Sequence, residues 1–86
     1  MYVIIVYDVD ASRVGRINKF LKRYLLWMQN SVFEGEITET LLAELVRRVE
    51  KMIQDTDSII IYKLKAESYI TRQTVGYDFG RNNNVI

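Results

Sequence analysis

Apolar residues fall along this chain in two rhythms. Tyr2 to Tyr7 and Ser58 to Leu64, the latter built around Ile59-Ile60-Ile61-Tyr62, are short runs apolar at both parities, the pattern of strands buried on both faces. Val14, Ile17, Leu21, Tyr24 and Leu25 recur instead at helical spacing, after a turn at Asp10 to Ser12. Leu41, Leu42, Leu45, Val46, Val49, Met52 and Ile53 mark a second, more regular helical face. Thr38 is placed to cap that helix, with Glu39 in its first turn and Arg47, Arg48 and Lys51 near its C-terminal end, where the helix dipole favours them. Between the helices, Leu26 to Asn30 and Ser31 to Glu36 read as a small hairpin with a tight connection at Asn30-Ser31 and Gly35 as a breaker.

The predicted order is β-α-β-β-α-β, an α+β, ferredoxin-like split arrangement complete near residue 65. Residues 66–86 form a C-terminal extension. Within it Gln73-Thr74-Val75-Gly76-Tyr77 is one more candidate edge strand, and residues 80–86, with Arg81-Asn82-Asn83-Asn84, a polar tail.

In this arrangement both helices cover one face of the sheet, yet the first and last strands are apolar on the other face too. At about 25 cal/mol per Å² of apolar surface, leaving that face wet would forfeit several kcal/mol, comparable to the whole stability of so small a domain. A homodimer with sheets face to face is the expected cover, the strand near 73–77 pairing with the partner protomer. The alternative is that the segment from Lys65 onward folds back over its own sheet.

Composition narrows the chemistry. The chain has 86 residues, no cysteine and no histidine, so thiolate sites, disulfides and imidazole bases are all excluded. Hydrolysis would have to rely on carboxylates and an oxygen-seeking metal. No signal peptide or run of membrane-spanning length is present, and a cytoplasmic protein with no membrane partner is expected. Net charge is only +1, but Ala11 to Phe33 carries Arg13, Arg16, Lys19, Lys22 and Arg23 with no acidic residue. Such a block is either a solvated helix face or an anion-binding one.

Asp8, at the end of the first strand, is the candidate catalytic residue and metal ligand. Aspartate is disfavoured in strands, so it either bonds the turn that follows or, if Asp10 or Ser12 caps the helix, is left free. One carboxylate is a poor Mg²⁺ site, but a two-fold dimer would bring a second Asp8 to a single shared ion able to activate water. Arg13 and Arg16 then face phosphate near the helix start, and Lys19, Lys22 and Arg23 continue the row. Of the aromatic residues, Phe33 beside the hairpin is the candidate base contact.

The strand ending in Tyr7-Asp8, the hairpin Gln29-Asn30-Ser31-Val32-Phe33-Glu34-Gly35, the late strand Ile59 to Leu64 and the element Thr74-Val75-Gly76 together resemble the small CRISPR-associated adaptation protein family, Cas two. The resemblance covers nearly the whole chain. It implies a homodimer that acts in spacer acquisition during antiviral defence, partnering the Cas one integrase in a heterohexamer-type complex on duplex DNA. It also implies a Mg²⁺-dependent endonuclease on single-stranded RNA or duplex DNA, with Asp8 as the metal ligand and Tyr7, Arg16 and Phe33 on positions that the family's nuclease model uses. Trp27 stands where some members have arginine. The alternative function is a non-catalytic scaffold that bridges integrase dimers and clamps duplex DNA. No glycine-rich loop supports a small-ligand regulatory module instead.

Overall fold

The computed structural model describes residues 1–80, which form a four-stranded antiparallel sheet with two helices on one face. In chain order the elements are β1 (Tyr2–Asp8), α1 (Ala11–Leu21), β2 (Leu26–Gln29), β3 (Val32–Glu36), α2 (Glu39–Glu50) and β4 (Ser58–Leu64). The strands lie in the order β2-β3-β1-β4, so the expected ferredoxin-like arrangement is the observed one.

β1 occupies an interior position, with β3 on one side (Ile5 opposite Phe33) and β4 along its full length on the other (Tyr2 opposite Leu64, Asp8 opposite Ser58). Alternation sends Val3, Ile5 and Tyr7 toward the helices, where they meet Ile17, Leu21, Phe33, Leu45 and Val49 in a single core. The hairpin closes at Asn30, whose φ of 42° is a left-handed conformation that asparagine tolerates. Asp10 caps α1 and Thr38 caps α2, the Thr38 hydroxyl accepting from the Leu41 amide at 3.1 Å.

Two residues assigned to apolar helix faces, Val14 and Leu41, are exposed instead. Both lie in the first turn or so of their helices, ahead of the first buried positions Ile17 and Leu42. No helix among the described residues is long and apolar enough to cross a membrane.

The other face of the sheet is covered only in part. After a single 3-10 turn at Glu67–Tyr69, the chain returns over the β2–β3 side, where Arg72 donates to both carboxylate oxygens of Glu34. Glu34 is buried and also accepts from the Tyr2 hydroxyl at 3.0 Å. Burial, then the bond to Glu34, pushes the Tyr2 hydroxyl above the ordinary tyrosine range. Further along, Phe79 meets Trp27 edge-on at 5.9 Å, and Gly80 packs against the Met28 side chain, whose methyl end would have to shift to admit a Cβ. Over β4 the face stays bare, with Ile60 49% and Tyr62 53% exposed.

The additional strand expected near 73–77 is not formed within the single chain: residues 70–78 have no regular structure. The segment is anchored to a face of the sheet rather than laid along an edge, and only an edge offers free ladder groups. Of the expected polar tail, everything beyond Gly80 lies outside the described residues.

Phe33, fully buried at the centre of the core, sets the scale of packing. Phe33→Ala should lower unfolding stability by about 3–5 kcal/mol, read as a reduced urea midpoint at fixed protein concentration.

Candidate functional site

Three aspartates converge where β1 ends, α1 begins and β4 starts. Asp10 is the helix cap: its Oδ2 accepts from the Ser12 amide at 3.0 Å and the Ser12 hydroxyl at 2.6 Å. These two bonds hold its carboxyl below the usual carboxylate range. Asp57, one residue before β4, has a side chain only 1% exposed and accepts four bonds. Arg13 donates through Nε at 2.6 Å and Nη2 at 3.1 Å, and the amides of Asp10 and Gln54 donate at 3.0 and 2.9 Å. The Arg13 guanidinium, aided by these amides, holds the Asp57 carboxyl well below the usual range against the opposing effect of burial. Asp57 in turn raises the Arg13 pKa.

Asp8 is the third. It is exposed at the last ladder position of β1, and its side chain makes no hydrogen bond or ion pair with any described residue. Asp10 is exposed too but committed to Ser12, and Asp57 is buried against Arg13, so Asp8 is the one carboxylate of the three that is both exposed and without a bond to a described residue. Among the described residues, no group of three or more acidic side chains gathers to hold a metal ion. One hard oxygen donor has the right chemistry for Mg²⁺ but supplies a single ligand, so one protomer by itself is not a closed site.

The remaining candidates divide sharply. Arg16, Lys19, Lys22 and Arg23 are exposed on or just after α1, with no acidic partner among the described residues. Arg13 does not join them, because its fork is filled by Asp57 and it serves to fix the start of α1. Phe33 and Tyr7 are corrected as well: they are 0% and 3% exposed, their rings stacked with centroids 6.3 Å apart in the core. Neither ring reaches a base from there. Alternation along the two strands turns both toward the helices, and a hairpin position next to a turn gave no sign of that.

Asp57, Glu34 and Arg72 were missed by sequence reasoning. Asp57 stood in a plausible turn, Asp55-Thr56-Asp57, where aspartate needs no other explanation. The signal that was present is its place directly before a strand apolar on both faces, beside a basic helix start 44 residues away.

The fold and its free strand-end carboxylate define a class: a small ferredoxin-like protein whose first strand ends in an uncommitted aspartate and whose first helix carries exposed cations without acidic partners among the described residues. Residues 1–72 match the model of the family described as CRISPR associated protein Cas2, and the chain belongs to that family. A protein of Pyrococcus furiosus named CRISPR-associated endoribonuclease Cas2 is 44% identical over 79 residues, 91% of each chain. A protein of the same name from Methanosarcina acetivorans is 39% identical over 87 residues, all of both chains. Among solved structures, one described as the crystal structure of cas2 superposes with a TM-score of 0.86 at 46% identity, covering 92% of this chain and 90% of the other.

The lowered Asp57 pKa has a signed consequence. Its stabilising contribution is complete above the unfolded aspartate value of about 4 and is lost as pH falls below that toward the folded value. Thermal melts should show wild type losing stability on acidification below about pH 4. Asp57→Asn should be less stable at neutral pH and flatter across the acid range; an identical acid profile would remove Asp57 from that role.

Proposed function

We propose that this chain works as a nucleic-acid-binding homodimer in CRISPR adaptation, and that it is a Mg²⁺-dependent endonuclease whose two Asp8 side chains share one ion. The observation that carries the reading is the division of labour among the three aspartates: Asp10 caps, Asp57 pairs with Arg13, and Asp8 alone is uncommitted. The bare apolar side chains of β4, Ile60 and Tyr62, support a second copy as the cover of that face, and a two-fold axis there would supply the second Asp8.

When bound, Mg²⁺ lowers the pKa of water and offsets charge on a phosphodiester. The chain's own residues do the rest. Asp8 offers oxygen at the rigid end of a strand paired along its whole length to β4. The Arg13–Asp57 pair and the Asp10 cap hold the β1–α1 junction and so fix where Asp8 stands. Arg16, in the second turn of α1, is the nearest exposed arginine along the chain able to hold phosphate oxygen in a bidentate way. The relatives named above are called endoribonucleases, which supports single-stranded RNA as a substrate alongside duplex DNA.

A second reading rests on the cations rather than on Asp8. Five unpaired basic residues would be ample for a non-catalytic scaffold that clamps duplex DNA between Cas1 integrase units. That reading is favoured by Arg16, Lys19, Lys22, Arg23 and Arg48 having no acidic partners among the described residues.

Asp8→Asn should abolish Mg²⁺-dependent cleavage of RNA and duplex DNA while light scattering still reports a dimer. Cleavage at the wild-type rate by the purified variant would end the nuclease assignment. In cells, spacer acquisition that survives Asp8→Asn but fails when Lys19, Lys22 and Arg23 are changed to Glu would favour the scaffold.

A further inference from the structure

The ladder between β1 and β4 ends on a polar pair. Asp8, the last residue of β1, stands directly opposite Ser58, the first of β4. Residues opposite one another in an antiparallel pair project from the same face, with their Cβ atoms about 4.5–5.5 Å apart. Alternation identifies the face. Tyr7, Ile59 and Ile61 pack in or against the core under the helices, so Asp8 and Ser58 project from the other side, in line with Val6 and the exposed Ile60 and Tyr62. Ser58 is itself exposed, and its hydroxyl bonds no described residue. Two uncommitted oxygen-bearing side chains therefore meet at the end of the bare face assigned above to a second copy.

One clasp holds both of them in place. Asp57, the neighbour of Ser58, accepts from the Asp10 amide, two residues beyond Asp8, and from the Arg13 fork. The start of β4 is thus tied to the end of β1 by side-chain bonds as well as by the ladder. Asp57 turns inward to make those bonds, and Ser58 after it turns outward. Ser31, which flanks β1 from the hairpin, is the contrast. Its carbonyl accepts from the Tyr7 amide at 3.1 Å, opposite a residue whose ring faces the helices, and alternation puts its hydroxyl on that side of the sheet.

A hydroxyl supplies what Asp8 lacks. Mg²⁺ takes hard oxygen ligands in a near-octahedral shell, and serine or threonine hydroxyls serve it in phosphate-binding loops. Two Asp8 carboxylates already balance the charge of the ion. Further acids would add repulsion toward a phosphodiester, whereas neutral hydroxyls add ligands without charge. We infer that the Ser58 hydroxyl is a second metal ligand beside Asp8, so that each protomer offers the ion one charged and one neutral oxygen. This rests on the reading of Asp8 as a metal ligand in a dimer, and adds to it the residue that turns a single carboxylate into a pair.

Mn²⁺, a paramagnetic stand-in for Mg²⁺, tests the assignment on the full chain without any substrate. Electron paramagnetic resonance of free against bound Mn²⁺ gives the affinity, and water enriched in the magnetic oxygen isotope broadens the bound signal according to the number of waters on the ion. Ser58→Ala should weaken Mn²⁺ binding by about 10-fold or more, and should increase the broadening because water takes each vacated place. Ser58→Thr, which keeps the hydroxyl, should match wild type, and so should Ser31→Ala. Wild-type affinity in Ser58→Ala, or weaker binding with unchanged broadening, would overturn Ser58 as a ligand; loss of the ion in Asp8→Asn would show that the reading of Asp8 survives that result. Retention of Mn²⁺ by Asp8→Asn, or no binding by wild type, would overturn the Asp8 reading itself and Ser58 with it.

Discussion

Everything else in this protein is hung on β1, a strand with both edges paired and both faces apolar. Its seven residues are matched along β4 and, over Tyr2 to Val6, along β3, so its backbone groups have almost no freedom. Val3, Ile5 and Tyr7 on one face hold the two helices, while Tyr2, Ile4 and Val6 on the other form the surface that a second copy or the chain's own tail must cover. A functional group at the end of such a strand inherits its rigidity. Asp8 is that group, and its position is set by the least mobile element of the fold.

The junction after β1 is secured by buried charge. Asp57 gathers a guanidinium and two amides, tying the turn before β4 to the first turn of α1. The arrangement uses one arginine from an otherwise available basic row. That expenditure gives a fixed junction, and it leaves Arg16 as the first cation of the row able to meet a ligand. A similar device works on the outer face, where Glu34 is buried under Arg72 and Tyr2 and the returning chain is held to β3. In both places a carboxylate removed from water is satisfied by an arginine fork, the geometry that makes such burial tolerable.

Cations on the helix layer therefore fall into distinct groups despite similar sequence settings. Arg13 is structural, Arg16 to Arg23 are open, and Arg47 turns away into a cleft of mixed charge. A net charge of +1 conceals this separation, because charge balance is a property of composition and an anion-binding surface is a property of faces.

The sequence by itself determined the architecture. Strands apolar at both parities, two helical faces and the caps at Asp10 and Thr38 gave the element order, and β4 was read to its observed limits, because those signals are local and repeat at fixed periods. It also singled out Asp8, since a carboxylate in an apolar strand is conspicuous without any neighbour being known. What only the tertiary structure decided is which side chains are free. Arg13 and Arg16 are alike in sequence until Asp57 arrives from 44 residues away, and Phe33 reads as a hairpin aromatic until the sheet turns it inward. Availability for binding depends on partners distant along the chain, and no local pattern records them.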